Sequence, residues 1–516
     1  MVIKTGGGPV VGLDIGTSFI KAVEVRPGKR PQVSALGIMP TPPDTFAGDI
    51  IVDPSALGFL IRKLLDESGI TARRVVSVVS GQTSFVMRVL PLPKMTAKEL
   101  GETMKFEVER QVPFPSNDIV MDYKPLVRAD EPADSPEMNV LLVVGQQQMI
   151  DAHVETLLAA GLEPVALDVE PLAAIRALLD ASLENQTVAL VNLGASKTDL
   201  AIFERGVMVL PRPIPVAGDA FTQAISGALG RPRDEAESLK KEMGEVSLEM
   251  VGAQASGGPQ GGAEDPQESE FSFFDMSGPG FGEASPAPDA PVGLAAEPAA
   301  EAPPISGFTF DDEPGSAAGS FFALEDEPAA PAAPAPSAFA LEEDEPRAFS
   351  FGDSSTTSTP QPLSAEPATP GSPAPPVEHP LAQLPESERV RRQVMEALAP
   401  VVGDLVTEIR RSLEFYRSRS AEGVIHRICL CGGSAKLKNL DRYLEQELGA
   451  PVQVIEPSQK MDATGKNASP RYFSEVAPLL AVGVGLGLRD MVEFGPALGA
   501  APKAPKAPKA QRAKKG

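Results

Sequence analysis

Two stretches carry the residues best suited to chemistry. The first, VVGLDIGTSFIK at 10–21, runs from apolar residues into Asp14, then Gly16, Thr17 and Ser18, and ends on Lys21. The second, VALVNLGASKTDLA at 188–201, repeats that order with Asn192, then Gly194, Ala195, Ser196 and Thr198. A buried strand, a tight turn with free backbone N–H groups and a second strand form a β-hairpin whose tip can hold phosphate oxygens. Two such hairpins, far apart in sequence, imply two related halves that clamp one nucleotide.

The hairpins need a scaffold, and the remaining segments alternate between strand-like and helix-like patterns, which sets an α/β class. Residues 32–38 continue the first sheet. Residues 54–68 are helical, with Leu57, Leu60, Ile61, Leu64 and Leu65 on one face. Strands follow at 74–80 and 84–90, then a helix at 96–112 opened by the capping box of Thr96 and Glu99. Strands at 121–127 and 138–144 precede a helix at 147–160. A strand at 165–169 runs into Glu170, Pro171 and a helix at 172–181, and a further helix spans 221–229. Later, the strand 424–430 leads through CGGSAKL at 431–437 to a helix at 440–448. In 477–488 the small residues Ala481, Gly483, Gly485 and Gly487 would let a helix cross another element closely.

The net charge of −24 is local. Between Val246 and Glu386 stand 24 Asp and Glu against one basic residue, Arg347, so the rest of the chain is near neutral. This Pro-, Ala-, Gly- and Ser-rich segment cannot bury enough apolar area to offset the entropy of ordering, and 246–386 is expected to be a disordered insertion. It holds a loose repeat of Phe and Leu anchors beside carboxylates at 271–275, 308–314, 321–328, 339–346 and 349–353, a pattern suited to multivalent docking of a partner. A basic Ala-Pro-Lys tail, 493–516, is expected to be solvated. The two cysteines, Cys429 and Cys431, are too close for a favourable disulfide and have no companions for a zinc site. A reduced compartment follows. No apolar signal core and no run of 18 apolar residues is present, so neither secretion nor a membrane span is expected.

The ordered series resembles the actin, sugar-kinase and Hsp70 superfamily, and within it the PilM family of type IV pilus assembly, relatives of the cell-division protein FtsA. The residues that carry this are LPKM at 92–95, FEVERQVPFP at 106–115, ALDVEPL at 166–172 and IRRSLEFY at 409–416, together with the two hairpins. The resemblance implies an actin-like (ribonuclease H-like) two-lobe fold. A tail at 1–9 would precede lobe 1 at 10–87 and 161–185. A small extra α+β subdomain would occupy 88–160, and lobe 2 would take 186–245 and 387–492.

The same resemblance implies ATP and Mg2+ as cofactors. Asp14 takes the position of a carboxylate facing the hydration shell of Mg2+, which favours oxygen ligands through water. Gly16, Thr17, Ser18 and Lys21 face β- and γ-phosphates, as do Gly194, Ala195, Ser196 and Thr198 from the second hairpin. Glu170 stands where the superfamily orients the attacking water or reaches the metal. Glu237 and Lys240, three apart on a helix with Lys241 beside them, would bracket ribose and base. Gly432 and Gly433 would press against the adenosine, with Ser434 and Lys436 at the following helix N-terminus. Asn192 replaces the usual Asp, and an amide cannot supply negative charge to a metal shell, so ATP binding with slow or negligible hydrolysis is expected.

By resemblance, the partner is the N-terminal cytoplasmic peptide of a PilN-like inner-membrane protein, with other pilus platform or motor proteins nearby. Residues 88–160 would form one wall of the peptide groove. Localisation would be cytoplasmic and peripheral to the membrane through partners, because the C-terminal end has no amphipathic helix of the FtsA kind. No nucleic acid is expected. The alternatives are an FtsA-like division or secretion-platform filament protein and a sugar-kinase-type phosphotransferase; no convincing catalytic Asp of a sugar-binding loop is present.

Overall fold

The computed structural model describes residues 2–3, 7–128, 135–248, 385–420, 422–465 and 467–493. Its elements belong to one unit formed by 1–247 and 319–498; of the other unit, 248–318 and 499–516, only Leu248 is described.

A two-residue strand, β1 (Val2–Ile3), precedes three antiparallel strands, β2 (Val10–Ile15), β3 (Phe19–Arg26) and β4 (Gln32–Pro40). After a small ribbon, β5 (Phe46–Ala47) with β6 (Ile50–Ile51), helix α1 (Pro54–Ser68) crosses back. Asp53 caps its start by accepting from Ala56 N at 2.9 Å, and Gly69 ends it in the left-handed region. Its buried stripe of Leu57, Ile61, Leu64 and Leu65 covers the sheet. Strand β7 (Arg74–Val79) then pairs parallel to β2.

A separate layer follows. Strands β8 (Phe85–Pro93), β9 (Ile119–Leu126) and β10 (Glu137–Gln146) form an antiparallel sheet in the order β8-β10-β9, with α2 (Ala97–Gln111) between β8 and β9. The expected Thr96–Glu99 capping box opens α2. Leu100, Met104 and Val108 of α2 meet Leu90, Val140, Leu142 and Val144 in a core of their own. Helix α3 (Gln147–Ala159) packs on α1 of the first lobe as well as on β9 and β10.

Strand β11 (Glu163–Val169) completes the first sheet beside β7, and α4 (Glu170–Arg176) leads to the second lobe. There β12 (Thr187–Leu193), β13 (Thr198–Glu204) and β14 (Val207–Ile214) form another antiparallel trio. Helices α5 (Gly218–Leu229), α6 (Arg233–Met243) and α7 (Glu386–Arg419) precede β15 (Arg427–Cys431), which pairs parallel to β12. Helix α8 (Leu440–Leu448) and β16 (Val452–Val454), parallel to β15, finish the sheet. Both lobes therefore share one topology: an antiparallel trio, then two parallel strands added beside its first strand. Their central strands β2 and β12 are apolar almost throughout because both faces are covered.

The chain returns to the first lobe through β17 (Asp462–Ala463), α9 (Pro470–Val476), α10 (Ala481–Gly487) and β18 (Val492–Glu493), the last pairing with β1. The residues expected as an N-terminal tail thus include a paired strand. Helix α10 lies across α4, β2 and β3. A Cβ on Gly485 would stand 1.7 Å from Ala173 O, and one on Gly12 would stand 1.9 Å from Gly483 O, so these crossings admit no side chain.

Residues 249–384, with the Phe and acidic repeats, lie outside the described residues, as do 494–516. Two residues at the expected edges of the insertion belong to the fold. Val246 is buried and its N–H donates to Lys438 O, and Glu386 opens α7, a 34-residue helix containing Pro400.

Candidate functional site

Both hairpins close in the same way. Gly16 N donates to Phe19 O at 3.1 Å, and Gly194 N donates to Lys197 O at 3.1 Å. A Cβ on Gly194 would lie 2.6 Å from Lys197 O, which requires glycine there. These two amides are therefore spent inside their own turns, contrary to the expectation for Gly16 and Gly194, and the tips are Thr17–Ser18 and Ala195–Ser196. The tips meet. Thr17 Oγ1 donates to Ser196 Oγ at 3.4 Å across the junction of the lobes. Gln82 Nε2, from the turn after β7, donates to Ser196 O at 3.0 Å, and Lys241 Nζ lies 5.1 Å from the centre of the Phe19 ring. Asp49 holds the Gln82 turn by accepting from the N–H groups of Gln82, Thr83 and Ser84.

Beneath the tips lies a buried charged cluster. In the first hairpin Asp14 faces Lys21 across the ladder, with Nζ 2.6 Å from Oδ2. In the second, Asn192 faces Asp199, and Lys197 Nζ lies 2.6 Å from Asp199 Oδ2. Glu170, at the start of α4, ties the second hairpin to the turn after β7. Its Oε1 accepts from Ser80 Oγ at 2.7 Å, and its Oε2 accepts from Asn192 Nδ2 and Lys197 Nζ, each at 3.3 Å. Cys431 Sγ donates to Asn192 Oδ1 at 3.4 Å from behind.

Burial pushes the Asp14 carboxyl above its ordinary range, with Lys21 opposing. Burial also raises Asp199, with Lys197 opposing and the neighbouring Glu170 adding to the rise. Burial acts on Glu170 as well, but Lys197 and hydrogen bonds from Asp199 and Ser80 outweigh it and keep Glu170 ionised. Lys197 loses by burial and gains more from Asp199 and Glu170, which holds it charged.

The other expected residues divide. Thr198 is buried and donates to Val216 O at 2.7 Å, away from the tip. Lys240 donates to Gly218 O and Thr222 Oγ1 and pairs with Glu237 at 2.6 Å, so the two brace α5 against α6 rather than present free groups. Ser434 is buried, and its Oγ would lie 2.8 Å from a Cβ on Gly218. Between Gly432 and the helix the chain makes a 3-10 turn, Gly433–Lys436, with Lys436 exposed, and α8 begins at Leu440 as expected. Ser80, Gln82, Lys197 and Asp199 escaped sequence reasoning. The duplicated topology carried the signal, because Asp199 stands opposite Asn192 as Lys21 stands opposite Asp14.

Mg2+ does not fit these residues as they stand. Asp14 and Asp199 each face an ammonium, and Glu170 has both oxygens engaged. Among the described residues no three His, Cys, Asp or Glu side chains form a group able to hold a metal ion. Asp14, expected to face the hydration shell of the metal, is paired with Lys21 in this structure.

Two lobes of one topology, hairpin tips meeting between them and a small-residue helix crossing below define an actin-like ATPase fold. A family model for the type IV pilus assembly protein PilM matches residues 12–249, and one for the cell division protein FtsA matches 189–477. The chain belongs to the FtsA family, whose model spans more than half of it. FtsA of Bacillus subtilis is 27% identical over 256 residues, covering 45% of this chain and 58% of that protein. FtsA of Pseudomonas aeruginosa is 27% identical over 274 residues, covering 49% of this chain and 65% of that protein. The chain thus spans less than two thirds of the length of these relatives. A solved PilM-PilN type IV pilus biogenesis complex matches with a TM-score of 0.60 at 22% identity, over 94% of this chain and 99% of that one, a likeness of fold.

Proposed function

We propose that this chain is an actin-like scaffold of a type IV pilus assembly platform. It binds ATP between its lobes and docks the N-terminal cytoplasmic peptide of a PilN-like membrane protein. The observation that carries the nucleotide reading is the 3.4 Å contact between Thr17 and Ser196, which puts the tips of two glycine-closed hairpins from separate lobes at one point. Tips of this kind suit phosphate oxygens, since the residues beyond each closing glycine leave their N–H groups at the end of the turn. Hydrolysis is slow or negligible. Glu170 is tied to Ser80, Asn192 and Lys197, and aligning a water would cost those bonds.

The three-stranded sheet with α2 forms one wall of the peptide site, and the protein reaches the membrane through its partners. Among the described residues no helix is long and apolar enough to cross a membrane. Other platform or motor proteins, and a partner for the repeats of 271–351, complete the assembly. Calorimetric titration of a PilN N-terminal peptide, with and without ATP and on chains with and without 246–386, tests this reading. Nucleotide-dependent binding is expected; equal failure in all four conditions removes it.

A second reading, an FtsA-like division or secretion-platform filament protein, is favoured by the FtsA model over 189–477. Binding of an FtsZ C-terminal peptide in place of the PilN peptide would select it. Coupled phosphorylation of a sugar panel, expected to be negative, tests the phosphotransferase reading.

A further inference from the structure

We propose that the Lys197 ammonium, held between Glu170 and Asp199, takes the place of a divalent cation in this cleft, so that nucleotide binding does not depend on Mg2+. The inference rests on the nucleotide reading above and concerns how that site is charged. Lys197 leaves the turn of the second hairpin, while Glu170 opens the helix that leaves the first lobe. Its Nζ therefore stands where the lobes join, 2.6 Å from Asp199 Oδ2 and 3.3 Å from Glu170 Oε2. The side chain is 13% exposed, as is that of Lys21 on Asp14.

Buried carboxylates need a positive partner, because desolvation of an unpaired charge is costly. In an all-acid cleft that partner is a metal ion. Here three carboxyls, Asp14, Glu170 and Asp199, meet two lysines, Lys21 on Asp14 and Lys197 on both Glu170 and Asp199. The two ammoniums offset most of the negative charge of the cluster with nothing added. Mg2+ demands an octahedral set of oxygens and gives up its waters reluctantly. Beside Lys197 it would meet a like charge in a poorly hydrated site, and to replace the lysine it would have to expel a buried ammonium from two carboxylates. A lysine also serves as a point charge for phosphate oxygens. Nothing in the spacing of the second hairpin requires a cation at 197; its placement on both acids is a property of the folded cleft.

Two measurements on the full chain decide the matter. The first is titration with a non-hydrolysable ATP analogue in Mg2+ or in EDTA. The second is Mn2+ binding by electron paramagnetic resonance, without nucleotide, to wild type, Lys197→Met and Lys197→Gln. Wild-type affinity is expected to agree within about threefold between the two buffers, and both variants are expected to acquire a Mn2+ site and about tenfold dependence on Mg2+. Loss of about tenfold or more by wild type in EDTA overturns the proposal. So do variants that gain no Mn2+. Absence of nucleotide binding in both buffers removes the nucleotide reading instead, and the Mn2+ measurement then decides alone whether Lys197 stands in for a metal. Lys197→Gln keeps a polar side chain, so failure of Lys197→Met to fold leaves the comparison intact.

Discussion

Glu170 depends on three side chains at once, and its role follows from that. Glu170→Gln keeps the hydrogen-bonding shape but leaves Lys197 with only Asp199 for its charge. Breaking one arm of a buried ion pair should cost about 1–3 kcal/mol in urea unfolding, while nucleotide affinity stays within about threefold. An unchanged unfolding midpoint would show that the ion pair contributes nothing. His153 makes a separate prediction. Its Nε2 lies 2.8 Å from Ser77 Oγ, whose own hydrogen goes to Leu13 O, so the ring nitrogen donates. Burial lowers its pKa from 6.5 to about 4. The stabilisation from the neutral ring is therefore complete above pH 6.5 and is lost as pH falls toward 4, at most about 3 kcal/mol. Unfolding measured across that window should lose its slope in His153→Gln, and persistence of the full slope would assign it to other groups.

At the scale of elements, the crossing of α10 over α4 is set by the absence of side chains. Gly485→Ala puts a methyl on Ala173 O and is expected to destabilise by about 1–3 kcal/mol by thermal melting. A neutral substitution would mean that the two helices can slide apart. Sequence patterns located many elements because local chemistry marks their ends. Asp53, Pro54 and Gly69 delimit α1, and the Thr96–Glu99 box opens α2. Helix α7 escaped because Pro400 interrupts its pattern and its start adjoins the acidic segment. Helix α3 meets both α1 and the β9–β10 sheet, which its apolar face alone does not say.

For the whole molecule, contacts among the described residues that join the lobes above the charged cluster include Thr17 to Ser196, Gln82 to Ser196 O, and Lys241 over Phe19. Two are hydrogen bonds at exposed positions, each worth about 1 kcal/mol net. The cleft should therefore open readily. Gln82→Ala is expected to speed hydrogen exchange at 16–19 and 194–197 and to raise the nucleotide dissociation rate about threefold to tenfold, without moving the global melting temperature by more than a few degrees. Equal exchange in wild type and variant would show that Gln82 does not restrain the lobes.

The sequence by itself determined that this chain has two glycine-closed hairpins, an α/β alternation and a long acidic segment, and its motifs resemble those of PilM and FtsA. Those properties are local: apolar runs make buried strands, a glycine followed by small residues makes a tight turn, and capping side chains mark helix ends. Only the tertiary structure decided which charges share the cleft. Lys197 and Asp199 read as ordinary strand polar residues until two distant hairpins and α4 bring them onto Glu170. Likewise Glu237 and Lys240 have a ligand-like spacing, yet the packing of α5 against α6 uses them internally. Side-chain partnership across a fold depends on where whole elements are packed, and one-dimensional spacing does not contain that information.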